Sequence, residues 1–437
     1  MDPRGENPRK LVTAPESNCF NFPIWSPDSR RIAYKRADFR ITARSDIEVQ
    51  DLEGGKPVRI ISDLRISYED FWWTRDNRLV FSMMQPKKEH LAPTIFASDL
   101  WSIKVEPNTG KALGPPVRAT HWPGVEALLC SGTADGKRLA VLKQSVQADI
   151  YIGELEIGKR QLKNQRQLTF DEGNEWAGSW SPDSKFVFFS SDRNGQMDIF
   201  KQALDQETAQ PIATGPGDKI GPVPTPDGIW ILYQLMGESW ADPRLMRVPI
   251  RGGSSELVTE MHGGGVLHGC GYAPGSLCDL NEPTPDYKEW IVTAVDPLAG
   301  RGRELGRFPV KQPYTNFNGA TVSPDGSKIA IVQNDPKEDR IVLVSTAGGR
   351  IQEVVLKRHI GVNSVWWASN GDGFIVASYF LSGNQVCYVD MEGRVDFIYA
   401  QKNPWHRTVD CVPSPDGRYL AMTRWIGDAN VWLLENF

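Results

Sequence analysis

The chain has 437 residues, 49 Lys+Arg against 54 Asp+Glu, and a formal charge of -5. That balance argues against a nucleic-acid or anionic-membrane partner, because phosphate binding needs a clustered basic excess. With 40% apolar and 24% charged residues the composition is that of a folded protein, and 40 Gly, 31 Pro and 15 Trp favour many turns and flat side chains in a β-rich architecture.

The first residues, MDPRGENPRK, lack the apolar stretch of an export signal, so the sequence as written is expected to be cytoplasmic, or extracytoplasmic as the distal part of a larger protein. The longest apolar runs, such as Phe186 to Phe189 and Ile229 to Tyr233, are too short for a membrane span. From there a turn unit centred on Asp recurs along the whole chain. It reads WSPDSRRIAY at Asp28, WTRDNRLVFS at Asp76, GTADGKRLAV at Asp135, WSPDSKFVFF at Asp183, PTPDGIWILY at Asp227, VSPDGSKIAI at Asp325, SNGDGFIVAS at Asp372 and PSPDGRYLAM at Asp416. The gap between Asp227 and Asp325 is two periods wide, and a degenerate unit at Pro274-Gly275-Ser276 fills it.

One unit shows the chemistry. A segment ending at Trp180 meets a Pro-Asp-Ser turn, Phe186 to Ser190 follows as a second strand, and Asn194-Gly195 supplies the positive φ of a tight hairpin. Met197 to Leu204 and Gln210 to Thr214 complete four antiparallel strands, the content of a propeller blade at a period of roughly 40 to 50 residues. The expectation is an all-β, closed β-propeller spanning residues 1–437, with nine blades by this count and eight as the alternative. Gly5 to Thr13 is expected to complete the last blade, 405–437, by pairing with Asn430 to Leu434, since closure removes exposed edges. The repeated Asp residues read as turn formers that cap their own backbone. Trp25, Trp73 and Trp180, each three residues before an Asp, read as blade-to-blade packing.

WSPDSKFVFFSSDRNGQMDIF, WSPDSRRIAY and VSPDGSKIAI resemble the TolB-type, WD-like propeller repeats of bacterial proteins over essentially the whole chain. NVWLLENF, MRVPIRGG and the LCDL to GRGREL stretch further resemble the propeller half of large bacterial signalling proteins that carry a kinase or winged-helix domain upstream. Such a repeat implies a fold; it occurs in translocation components, peptidase propellers and sensor regions alike.

The chain contains no Gly-x-Ser-x-Gly elbow, HExxH, P-loop or EF-hand pattern. The expectation is therefore a binding, interaction or sensor module without catalysis and without a cofactor. A carbohydrate-active or metal-assisted lyase or hydrolase built on propeller loops is the alternative. The expected partner is a protein, peptide or glycan. Second-to-third and fourth-to-first connections share one rim, and the long loops Arg36 to Asp46, Met83 to Ser98 and Met236 to Pro243 lie there. The rim candidates are Trp122, Trp176, Trp405, His406 and Arg407, with His121 nearby, together with Arg36, Arg40 and Arg44, whose spacing suits an anionic ligand. His262, His268 and Cys270 are the nearest approach to a metal set. Cys270 and Cys278 flank the Pro274 to Ser276 turn, where a bridge across a hairpin is an open alternative to free thiols.

Overall fold

The computed structural model describes the chain apart from residues 1–8, 14–17, 39–44, 64–65, 86–96, 134, 136, 157, 159, 238–242, 310–318, 336–337, 381–382, 401–405 and 436–437. Among the described residues the regular structure is antiparallel strand, with no α-helix.

The repeated turn explains why the strands form where they do. Ser181 Oγ donates to Asp183 Oδ1 at 2.6 Å and accepts the backbone N–H groups of Lys185 and Phe186 at 3.1 and 3.0 Å. One hydroxyl and one carboxylate thus satisfy the donors left open where the first strand hands over to the second. The residue after the Asp takes a left-handed φ, at Ser184 (59°), Ser29 (57°) and Asn77 (61°), or is glycine, as at Gly228, Gly326 and Gly417. The same hydroxyl-to-carboxylate bond recurs at Ser26–Asp28, Thr74–Asp76, Thr133–Asp135, Thr225–Asp227, Ser323–Asp325 and Ser414–Asp416. The hydrogen bonds of Ser323 and Ser327 hold the Asp325 carboxyl down at about 2. Thr284 and Asp286 repeat the device at 2.6 Å between the second and third strands of a blade, Cys278–Pro283 and Glu289–Asp296. The motif therefore marks a hairpin, and sequence reading passed over this copy.

The described residues form eight sheets, seven of four consecutive strands and one of five; nine blades were expected, with eight as the alternative, and a count of sheets is not a count of blades because two long strands join segments of both compact units. Two long strands, Arg138–Glu156 and Tyr419–Glu435, belong to the five-stranded sheet, and the first pairs through residues 139–144 with Glu126–Gly132 and through 151–156 with Gln161–Gln167. The turns at Asp135 and Asp416, counted as separate blades, open onto strands of that same sheet. Tyr419–Glu435 has His406–Pro413 and Arg138–Glu156 as its neighbours. Of the segment expected to pair with it, Arg9 to Thr13 carry no strand and Gly5 to Pro8 lie outside the described residues.

By its internal contacts the chain divides into two compact units, 1–146 with 428–437, and 147–427. The second unit is a closed ring. Its inner strands Glu175–Trp180, Lys219–Pro224, Val266–Cys270, Ala320–Val322, Val362–Trp367 and His406–Pro413 each touch the next, and the last touches the first. Six apolar clusters fill the gaps between neighbouring sheets, so the core is a circle of interfaces. Trp180, with 0% exposure, sits in the cluster that closes the circle, and its indole N–H donates to the Val412 carbonyl at 2.8 Å. Trp367 repeats the contact, donating to the Thr321 carbonyl of the preceding inner strand at 3.1 Å. Cys270 and Cys278, direct partners on adjacent strands with Cα atoms 3.9 Å apart, form a disulfide.

In the first unit, Trp73 is buried against the sheet that begins with Asn18–Trp25. Trp25 departs from the expectation: it is 58% exposed. Each of the other two indoles packs on the blade before it, and among the described residues of the first unit no sheet precedes the one that carries Trp25.

Trp180→Ala is expected to destabilise the second unit by about 3–5 kcal/mol, the range for truncating a buried aromatic. Trp25→Ala should change the first unit by no more than about 0.5 kcal/mol. Urea unfolding followed by circular dichroism tests both, and equal losses would refute the difference in packing. Thiol titration of the denatured, oxidised protein should find two fewer thiols before reduction than after; equal counts would show Cys270 and Cys278 unbridged in that preparation.

Candidate functional site

Five of the six inner strands of the second unit, all but Ala320–Val322, line a cavity of about 380 Å³. Trp176 reaches it from Glu175–Trp180, His268 from Val266–Cys270, Trp366 from Val362–Trp367 and Asp410 from His406–Pro413. Second strands contribute Ser190, Gln234, Thr423 and Trp425. Inner strands come close because small residues sit where they meet: a Cβ at Gly178 would lie 2.6 Å from the Pro222 ring. Such a lining, mostly apolar with a few convergent polar groups, is the usual makeup of a ligand cavity. The Trp366 indole N–H donates to Asp410 Oδ1 at 3.2 Å, and the Cys411 backbone N–H donates to the same oxygen at 2.8 Å. Enclosure still pushes the Asp410 carboxyl above its ordinary range, because burial penalises the charged form. Burial pushes His268 down to about 3, so its imidazole is neutral at physiological pH.

A second polar constellation sits at the rim of this unit, where the loop before Glu175–Trp180 meets the end of Phe186–Ser191. Glu175 accepts from Ser191 Oγ at 3.0 Å and from Arg193 Nη2 at 3.3 Å, while Arg193 Nη1 lies 2.8 Å from Asp171. Asp192 receives the Asn174 backbone N–H at 2.6 Å, and Asn174 Oδ1 in turn accepts from Ala148 N at 2.9 Å. Burial raises Glu175 to about 8 against the opposing pull of Arg193, and raises Asp192 and Asp149 to about 6.

A related group went unread in the sequence: an Asp at the start of the third strand. Asp339 accepts the N–H groups of Ile360 and Gly361 at 2.6 and 2.9 Å. Asp198 holds Lys219 at 2.9 Å, and in the first unit Asp99 accepts the Trp122 N–H at 2.8 Å. Each ties the third strand to the fourth-to-first connection or, at Lys219, to the first residue of the next inner strand. The recurring Asp-Ile, Asp-Leu or Asp-Arg pairs at 46, 99, 149, 198 and 339 were the available signal.

The structure separates the residues the sequence grouped. Trp176 lines the cavity. Trp122 belongs to the first unit, where Lys143 lies 5.1 Å from its ring and Gln85 Nε2 donates to its carbonyl at 2.8 Å. His121 is exposed. Arg36 is engaged by Asp46 and Glu48 at 2.5 and 3.1 Å, so its charge is already met. Arg40, Arg44 and Trp405 lie outside the described residues, as do most of the three long loops. His406 and Arg407 begin the inner strand that carries Asp410, with Ile426 and Trp425 as their cross-strand partners. His262, His268 and Cys270 do not make a metal set: the Cys270 sulfur is bonded to Cys278 and has no thiolate to give, and His262 is exposed, its N–H donating to Glu282 at 2.8 Å. Trp366, Trp425 and Asp410 were not singled out from sequence.

With this geometry in place, comparison with known proteins defines the class. A putative TolB from Agrobacterium tumefaciens is similar in structure, with a TM-score of 0.50 and 19% identity over 64% of this chain and 99% of that one. TolB from Acinetobacter baumannii aligns with a TM-score of 0.40 and 14% identity over 75% of this chain and 81% of its own. The fold is that of a TolB-like β-propeller. In sequence, an uncharacterized protein of Agrobacterium fabrum is 23% identical over 270 residues, 58% of this chain and 81% of that protein. No family model matches the chain.

The raised carboxyls make stability depend on pH. Folded Glu175 keeps to about 8 a proton that the unfolded chain releases near 4.5, so its contribution is complete below about 4.5 and lost as pH rises through 8. Asp149 and Asp192 act in the same direction from 3.8 to about 6. The melting temperature of the second unit should fall between pH 6 and 8, and Glu175→Gln should flatten that fall. An unchanged slope in the variant, measured by calorimetry across this range, would refute the assignment.

Proposed function

We propose that the chain is a binding or interaction module that acts without turnover, and that the channel of the second unit with its long-loop rim is where a partner docks. The observation that carries this reading is the cavity of about 380 Å³ onto which Trp176, Trp366 and Trp425 converge with few polar groups. Aromatic side chains of this kind dominate the energetics of recognition sites, because they offer large rigid area at little entropic cost. Trp405, His406 and Arg407 are proposed as rim contacts on the same grounds, since the strand they adjoin leads to Asp410. The proposed partner is a peptide, protein segment or glycan with a polar surface and an apolar body.

Peptide and glycan arrays probed with the purified chain test this. A retained binder should weaken by roughly 1 to 3 kcal/mol in Trp176→Ala, the usual range for a hot spot, and be unaffected by Ser327→Ala at the opposite turn. Binders that ignore Trp176 but respond to Ser327 would move the site to the short-turn rim. Chemical conversion of a bound compound would overturn the non-catalytic reading.

A further inference from the structure

The channel contains a carboxylate whose charge no cation balances among the residues whose side chains are described, a set that excludes His406 and Arg407. Asp410 is held by neutral donors alone, the Trp366 indole and the Cys411 backbone N–H, with the Ser364 hydroxyl beside them. Several other enclosed carboxylates of the second unit are provided for differently, while Asp279, which Asn281 holds at 2.7 Å, shares the neutral environment but does not line the cavity. Asp198 has the Lys219 ammonium at 2.9 Å, Glu175 has Arg193, Glu282 has both Arg301 nitrogens, and Asp339 has two backbone N–H groups and His359. The remaining side chains around the cavity are apolar, hydroxyl, amide or the neutral imidazole of His268, so Asp410 supplies its only formal charge among the described residues. A carboxylate walled by low-dielectric groups either gives up its charge or gains from a cation that enters beside it.

The walls also suit one kind of cation. Indole rings attract ammonium groups through the ring quadrupole, most strongly where water is displaced. Trp176, Trp366 and Trp425 all line this cavity. A small inorganic ion would need several oxygen ligands in place of its water, and the lining offers Asp410, Gln234 and a few hydroxyls. An alkylated ammonium is weakly hydrated and needs apolar surface with one counter-charge. The volume of about 380 Å³ is within the range of small-molecule sites.

The geometry points to an organic-cation site: the channel takes an alkylated ammonium group, free or borne on a lysine side chain, with Asp410 as counter-charge and the three indoles around its alkyl body. This rests on the channel being the docking site proposed above.

Calorimetric titration of the full chain with choline, with its uncharged carbon isostere dimethylbutanol, and with a trimethyl-lysine peptide is the test. Choline or the peptide should bind at least about tenfold more tightly than the isostere, and Asp410→Asn should remove that preference. Tighter binding of the peptide than of choline assigns the group to a protein partner, and the reverse to a free amine. The isostere comparison uses the unaltered protein, so it stands even if Asp410→Asn folds poorly. Equal binding of choline and isostere, with both lost in Trp176→Ala, would overturn cation selectivity while leaving the channel as a docking site. An absence of choline and peptide binding at millimolar concentration would overturn the cation site outright.

Discussion

A propeller blade cannot bury both of its faces alone, and this chain meets the constraint at the contact between one inner strand and the next. Trp180 shows the solution in one residue. Its ring fills the interface between the last and first blades of the second unit, and its N–H donates to the Val412 carbonyl of the neighbouring inner strand. Trp367 does the same between the blades that begin with Ala320–Val322 and Val362–Trp367. Because each apolar cluster is shared by two sheets, no blade has a private core, and closing the circle is part of the folding energy of every blade. The channel exists because six such interfaces hold the inner strands at a fixed spacing.

The local code was legible where it is made of neighbours in sequence. The blade from Glu175 to Ala213 has its strands within a residue or two of the positions read from WSPDS and Asn194-Gly195, because hydroxyl, carboxylate and left-handed residue are all supplied within five positions. What escaped depends on partners distant in the chain. Nothing within Arg138–Glu156 states that its neighbour is Tyr419–Glu435, so the joining of the Asp135 and Asp416 repeats in one sheet was not legible. Trp25 carries the same local signature as Trp180, and its exposure follows from the lack of a preceding sheet, which no local pattern encodes. Trp176 was named as a rim residue, whereas Asp410, Trp366 and Trp425 meet it only once the circle is closed.

Buried charge follows a division of labour in the second unit. Carboxylates at third-strand starts, such as Asp198 and Asp339, are consumed by the connection they fasten and serve geometry. Asp286 and Asp325 are consumed by their own turns. Glu175 and Asp410 belong with Asp149, Asp192 and Asp279 among the carboxyls that burial raises, Glu175 beside Arg193 at the rim and Asp410 inside the channel with neutral donors. A folded protein tolerates such groups when surrounding structure over-determines them, and they are where protonation state responds most to surroundings.

The division of the chain at Val146 and Gly427 has a consequence for biosynthesis. The second unit is continuous in sequence, so every strand of its ring has been made before the last residues are added. The first unit is split, with 428–437 separated from 1–146 by the whole ring. A ribosome therefore delivers all the parts of the inserted ring while the unit that flanks it still lacks residues 428–437, and vectorial synthesis orders their completion: the later-starting unit first, the earlier-starting one last.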